Sequence, residues 1–332
     1  MKKVALLSNK ERAELFQATA LQIGIRPEAV EKDFWVCYMI DHLFHECAFR
    51  DAFVFKGGTS LSKSYHLIHR FSEDIDLILD WRRIIKDESD PWADRSKNKQ
   101  DRYNKQINLE AANFYATELV PSLNDELSMK LGRNSLISID TQDEMVINFA
   151  YPKLFDDEYL RPTVKLEIGP LAEWTPSHIT KILPFAAEKY PALFNQKDTD
   201  ALTIDAERTF WEKITILHKI ANFPEGKNLP IRYARHLYDV YCMGHSSIKE
   251  SSFNRKELLE KDIMFKQKFY YSKGAHYESA TLRDIVLVPK YSLIPSLRSD
   301  YKAMENMIYG EIPDFETILT YLAELQEEIH SL

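Results

Sequence analysis

Apolar positions near the start of the chain recur at helical spacing. Ser8 followed by Glu11 has the spacing of a capping box, which predicts a helix from there to about Ile23, closed by Gly24. Pro27 suits the first turn of a second helix, in which Val30, Phe34, Cys37, Tyr38 and Leu43 step by three and four and form a buried stripe. Glu31, Lys32 and Asp33 are expected elsewhere on the surface of that helix, whose role is first structural.

The period then shortens. Ala52-Phe53-Val54-Phe55 is a β-prone run, Lys56-Gly57-Gly58-Thr59-Ser60 a glycine turn, and Leu61 to Arg70 a helical stretch. Ser72 to Leu79 reads as a second strand, its apolar part central and buried and its acidic end the place for chemistry. From Trp81 to about Gln106 the chain is polar, with Arg82, Arg83, Lys86, Arg95, Lys97, Lys99, Arg102 and Lys105 among acids. This insert is either a mobile, substrate-facing loop or a solvated surface segment.

A helix from about Ile107 to Leu131 leads to a predicted hairpin, Leu136 to Asp140 and Met145 to Tyr151, around Thr141-Gln142-Asp143-Glu144. In Thr163 to Ile168, Val164, Leu166 and Ile168 alternate toward a core while Thr163, Lys165 and Glu167 share the other face, and Gly169-Pro170 ends the run. Beyond Pro176 helical patterns dominate, over Ala206 to Ala221, Ile231 to Cys242, Arg255 to Tyr271 and Phe315 to His330. The expected fold class is α+β, with residues 1–172 forming a catalytic domain of a small mixed sheet with helices and residues 173–332 a mainly helical second domain.

Composition narrows the setting. A chain of 332 residues that is 45% hydrophobic can bury a core without staples. Its three cysteines, Cys37, Cys47 and Cys242, form no CxxC pair, which argues against a disulfide framework or a thiolate zinc site and points to a reducing compartment. Polar residues from Ser8 to Arg12 interrupt any signal-peptide core, and no run approaches the roughly 20 apolar residues that span a bilayer. A soluble, cytoplasmic protein with no membrane partner is expected. The net charge of -8 does not suit a dedicated nucleic-acid coat, although a local basic patch can still steer a polyanion.

Asp74 and Asp76 stand two apart on a strand, so their carboxylates project from one face and can share hard cations. Such pairs also occur as plain surface or turn residues. Upstream, Gly57-Gly58 lets backbone approach phosphate oxygens, or is an ordinary turn, and Thr59, Ser60 and Lys63 can add donors. There is no GxxxxGK[ST] spacing. The order glycine pair, helix, D-x-D strand resembles the polymerase-β-type nucleotidyltransferase core, in which a third carboxylate arrives on a neighbouring strand. Glu167 fits that part, with Lys165 beside it to meet phosphate charge; the alternative for both is an exposed strand edge of mixed charge.

The sequence also resembles the AbiEii/AbiGii toxin family of nucleotidyltransferases, related to the MenT toxins. Glu31-Lys32-Asp33-Phe34-Trp35-Val36 resembles an early segment of the family. Lys56-Gly57-Gly58-Thr59-Ser60-Leu61 together with Phe71-Ser72-Glu73-Asp74-Ile75-Asp76-Leu77 resembles its first catalytic motif. Trp211-Glu212-Lys213 resembles its lysine helix, and Arg235 to Tyr241 a later R-x-x-x-D segment. The likeness continues through Pro289, Asp300-Tyr301, Met304, Met307 and Gly310, where the two methionines read as core packing.

The resemblance implies that Lys213 contacts nucleotide phosphates and that Asp239 positions Lys213 or the acceptor. Lys56, Gly57, Gly58, Thr59, Ser60, Lys63, Ser72 and Lys165 would line the nucleotide, and Asp74, Asp76 and Glu167 would hold Mg2+. Taken alone, Glu212, Lys213 and Lys219 are a solvated helix face and Asp239 an ordinary helix carboxylate, while His236 and Tyr238 are packed or capping groups or ligands. The implied activity is transfer of NMP from an NTP to the tRNA 3' end, by a toxin of an abortive-infection or toxin-antitoxin pair with a separately encoded antitoxin. The competing readings are transfer to a protein hydroxyl and a non-catalytic NTP-binding module.

Overall fold

The computed structural model describes residues 1–84, 90–156, 161–171, 176–224, 226–227 and 229–332. The chain divides into two compact units, Met1–Ser64 with Ser72–Ile204, and Tyr65–Phe71 with Asp205–Leu332. Among the described residues no helix is long and apolar enough to cross a membrane.

The first unit contains helices α1 (Lys2–Ala5), α2 (Asn9–Ile23), α3 (Pro27–Asp41), α4 (Gly57–Lys63), α5 (Lys97–Phe114), α6 (Val120–Leu131) and α7 (Phe185–Lys189). Its strands are β1 (Phe53–Lys56), β2 (Ile75–Leu79), β3 (Ile137–Ile139), β4 (Val146–Phe149), β5 (Val164–Gly169), β6 (Ser177–Ile182) and β7 (Thr199–Ile204). They form one mixed sheet in the order β3-β4-β5-β2-β1-β7-β6. The β2–β5 and β1–β7 pairs are parallel and the other neighbours antiparallel.

Helix α2 starts at the expected box, with the Ser8 and Glu11 side chains reciprocally bonded to backbone amides, and stops at left-handed Gly24. Helix α3 departs from the expected half-buried stripe. Every residue from Ala29 to Asp41 is buried, including Glu31, Lys32 and Asp33 at 1–2% exposure. Burying a charge is costly unless it is compensated: Lys32 and Asp33 are ion-paired, and Glu31 is held by backbone amides. Glu31 accepts from the Leu154 and Phe155 amides, Lys32 meets Glu73 at 2.6 Å, and Asp33 meets Lys63 at 2.7 Å and the Phe185 amide at 2.7 Å. On the same helix Trp35 packs against Phe34, Tyr38, Phe149 and Tyr151.

Three further expectations are corrected. The helix after the glycine pair begins at Gly57 and ends at Lys63, so Tyr65 to Arg70 is not helical and belongs to the other unit. The polar insert is helical from Lys97 onward, and α5 runs through a π-helical turn at Tyr115–Leu119 into α6. Lys86 lies outside the described residues. Strands also continue past Pro176, because β6 and β7 complete the sheet. Residue 172, where a domain change was expected, is outside the described residues, and the compact first unit extends to Ile204. The β3–β4 hairpin and the alternating burial of β5 match expectation.

The second unit is helical: α8 (Ala206–Ala221), α9 (Ala234–Gly244), α10 (Ile248–Phe253), α11 (Glu257–Phe269), α12 (Ile294–Met304) and α13 (Phe315–His330). Helix α8 packs against α9, α10 and α11, and α9 against α12 and α13. Trp211 and Phe210 are fully buried beside Phe253. The Tyr65–Phe71 segment is tied here by backbone bonds from the Phe71 amide to the Met307 carbonyl and from the Tyr309 amide to the His69 carbonyl. Met304 is buried and Met307 half-buried.

Candidate active site

Burial alternates along the entry to β2. Glu73, Ile75 and Leu77 are buried, while Ser72, Asp74 and Asp76 are half-buried. Asp74 and Asp76 therefore project from one side of the strand. Two ladders extend this arrangement sideways. Lys56 of β1 stands opposite Asp76, and Asp76 stands opposite Glu167 of β5. Adjacent strands lie about 4.8 Å apart and paired residues share a face, so Lys56, Asp76 and Glu167 make one row across three strands. Glu167 is exposed, and Lys165 lies two residues before it on the same face.

Gly57 closes the row from above. It has φ +76, and a Cβ placed on it would stand 1.9 Å from Asp76 Oδ2. A side chain here would meet both a left-handed backbone and an occupied space, so glycine is required on two counts. The hydroxyl of Thr59 joins the carbonyl of Asp74 and lies 2.9 Å from Ser72 Oγ. Ser60 Oγ donates to the Gly57 carbonyl at 2.8 Å.

Several residues expected to line a nucleotide are committed elsewhere. Thr59 and Ser60 are buried and their hydroxyls brace the motif itself. Lys63 is buried, bonded to Asp33 and 3.9 Å above the Phe185 ring. Burial opposes its charge, but Asp33 outweighs that and holds the ammonium above its ordinary pKa. Lys165 Nζ lies 3.6 Å from Asp140 Oδ2. Hydrogen bonds from Asn148 and the Gln142 amide, with Lys165 nearby, pull Asp140 down to about 2.

Asp74, Asp76 and Glu167 offer only oxygen donors, the chemistry a hard divalent cation takes. Among the described residues no group of three or more His, Cys, Asp or Glu side chains is gathered into a metal-holding cluster. The backbone thus sets the carboxylates on a common face without drawing their side chains together. Magnesium sites commonly use one or two carboxylates and fill the rest with water and substrate phosphate, which this open arrangement fits.

In the second unit, Lys213, Asp239 and Arg70 form a buried cluster with half-buried His236 against it. Arg70 Nε and Nη2 donate to the two Asp239 oxygens at 2.7 and 3.0 Å, and Lys213 Nζ donates to Asp239 Oδ2 at 2.8 Å. Burial would raise the Asp239 pKa, but the two cations drive it well below the carboxylate range. Burial, with Lys213 and Arg235 nearby, pushes His236 well below its usual value. A neutral imidazole can accept, so its Nδ1 takes a hydrogen bond from Lys213 at 3.1 Å. Burial, opposed by Asp239, lowers the Lys213 pKa. Lys213 is not on a solvated helix face; it is 6% exposed.

Sequence reasoning missed Arg70, which has no periodic or motif signal of its own, and the inward direction of Lys32 and Glu73. Lys32 stands between Glu31 and Asp33, and Glu73 between Ser72 and Asp74, so nothing in the local sequence hinted at burial.

A family model for the nucleotidyl transferase AbiEii toxin of type IV toxin-antitoxin systems matches residues 41–321. The match begins past Glu31-Lys32-Asp33. Among solved structures, MenT4, a nucleotidyltransferase toxin from Mycobacterium tuberculosis H37Rv, is similar at a TM-score of 0.53 and 15% identity, over 98% of this chain and 90% of that chain. At that identity the likeness shows the fold, a mixed α+β one. A comparison with curated proteins finds no match.

Two outcomes follow from these geometries. Gly57→Ala is expected to cost about 1–3 kcal/mol in urea unfolding, through backbone strain and displacement of Asp76; unchanged stability would contradict the close approach. Asp239→Asn leaves Arg70 and Lys213 without their counter-charge and is expected to cost about 3–5 kcal/mol near neutral pH. Because the folded pKa of Asp239 is depressed, its contribution is complete above the unfolded value of about 3.9 and is lost as pH falls below it. The difference from wild type should therefore shrink in acid, and a pH-independent difference in urea unfolding would refute the assignment.

Proposed function

Because the chain belongs to the nucleotidyl transferase AbiEii toxin family of type IV toxin-antitoxin systems, we propose that it transfers NMP from an NTP to the 3' end of tRNA, with Mg2+ held by Asp74, Asp76 and Glu167. The observation that carries the reading is the row of Lys56, Asp76 and Glu167 across β1, β2 and β5, with Gly57 against the Asp76 carboxylate. The family implies an NTP substrate and a cognate antitoxin. The tRNA acceptor, magnesium, a role in abortive infection against phage and a cytoplasmic setting, where NTPs and tRNA are found, belong to this proposal.

Chemically, the acceptor hydroxyl oxygen would bond to the α-phosphorus while the bond to the bridging oxygen of the β-phosphate breaks and pyrophosphate leaves. Bound magnesium would supply charge neutralisation on the triphosphate and acidify the attacking hydroxyl. Asp74 and Asp76 would hold the ions on their shared face, and Glu167 would bind on the nucleophile side and take the hydroxyl proton. Gly57 would let backbone approach the phosphates, with Gly58 behind it, and Lys56 would add positive charge beside Asp76.

The test is to incubate the purified chain and its Asp76→Ala variant with magnesium, each α-labelled NTP in turn, total RNA and lysate protein. Label in tRNA-sized RNA with wild type alone is expected, with the variant reduced by about 100-fold or more, the scale of losing an essential electrostatic group. Label in a protein band would replace the acceptor with a protein hydroxyl. NTP binding with no label in either fraction would favour a non-catalytic module.

A further inference from the structure

The charge on Lys32 has no evident reason to be inside the protein. It lies in the middle of α3 at 1% exposure, on a helix that is buried on all sides. Well-packed apolar residues of similar volume in place of a buried ion pair are often as stable or more so, so stability alone does not account for a lysine here. What Lys32 touches gives it another use. Its ammonium is 2.6 Å from Glu73 Oε2 and also donates to the Arg161 carbonyl at 3.1 Å.

Both partners sit at strand entries. Glu73 immediately precedes Asp74 and is itself 7% exposed, pointing inward where Asp74 points the other way. Arg161 precedes β5, the strand that carries Glu167. Since β2 and β5 are parallel, their entries lie at the same end of the sheet, and one ammonium reaches both. The same segment is held a second time, by the Thr59 hydroxyl on the Asp74 carbonyl. Asp74 is thus fixed between a side-chain anchor on its inner neighbour and a backbone anchor on itself.

We propose that Lys32 is a positioning residue for metal binding: by fastening Glu73 and the Arg161 carbonyl to one point, it sets the placement of Asp74 and Asp76 relative to Glu167. The proposal rests on the reading of those carboxylates as metal ligands. Lys32 touches neither metal nor substrate. Groups that orient metal-ligating carboxylates through hydrogen bonds typically change metal affinity by about 10–100-fold when removed, and Lys32 acts one step further back, through the chain.

The experiment measures Mn2+ binding by electron paramagnetic resonance on the full chain with a non-hydrolysable NTP, alongside melting temperature. The variants are Asp76→Ala, Glu73→Gln, Lys32→Met and the double variant Lys32→Met/Glu73→Met. Glu73→Gln keeps shape and an acceptor for Lys32 but removes its counter-charge. The double variant removes both charges of this pair, so neither is left facing an apolar partner, and melting temperature should recover relative to Lys32→Met.

Mn2+ affinity should fall about tenfold in Lys32→Met, at the low end of what second-layer groups control, and stay low in the double variant despite its recovered melting temperature. Glu73→Gln should fall in the same direction. Recovery of both affinity and melting temperature in the double variant would make the pair purely structural and overturn the proposal, as would wild-type affinity in a folded Lys32→Met. Wild-type binding that Asp76→Ala leaves intact would instead overturn the metal-ligand reading beneath it.

Discussion

The parallel ladder between β2 and β5 pairs Asp76 with Glu167, and the antiparallel ladder on the other side of β2 pairs Asp76 with Lys56. A slip of one residue in either would turn the whole set of side chains to the opposite face. The buried side chains make such a slip costly: Ile75 and Leu77 on β2 and Val164, Leu166 and Ile168 on β5 would all leave the core. Hydrophobic burial along these strands thereby specifies where the charges stand.

Charge inside both units follows a common rule. Glu31, Lys32 and Asp33 each find partners on segments around the sheet, and Asp239 is shared by Arg70 and Lys213. Buried charges left unpaired would be strongly destabilising, so these groups stay only in fully bonded arrangements. In the second unit the arrangement holds an ammonium, Lys213, against an imidazole kept neutral by its surroundings. In the first unit the arrangement reaches the strand ends that carry Asp74 and Glu167.

What was legible in the sequence was what local chemistry dictates. The Ser8–Glu11 box, the alternation of Val164 to Ile168, the β3–β4 hairpin and the acidic entry to β2 all carry their signal within a few residues. What escaped depends on distant partners. β6 lies at the sheet edge with His178 and Ile179 exposed, and β7 turns Thr199, Ala201 and Thr203 inward, so neither shows a bulky apolar period. Glu31, Lys32 and Asp33 read as surface because charge normally lies there, and only Glu73, Lys63 and backbone amides far along the chain overrule it. Lys63 looked available for phosphate for the same reason, its partner Asp33 being invisible in local sequence. Of the carboxylates proposed to hold metal, the β2–β5 register brings Asp76 and Glu167 side by side, and Asp74 shares their face through strand alternation.

The most direct measurement of the central claim is a crystal of the chain grown with Mn2+ and a non-hydrolysable NTP, with diffraction recorded at the manganese absorption edge. The account predicts an anomalous peak within about 2.0–2.6 Å of oxygen atoms of Asp74 and Asp76, the ligand range of hard divalent cations, with a triphosphate oxygen on its open side. A bound nucleotide whose metal lies away from both aspartates would contradict it.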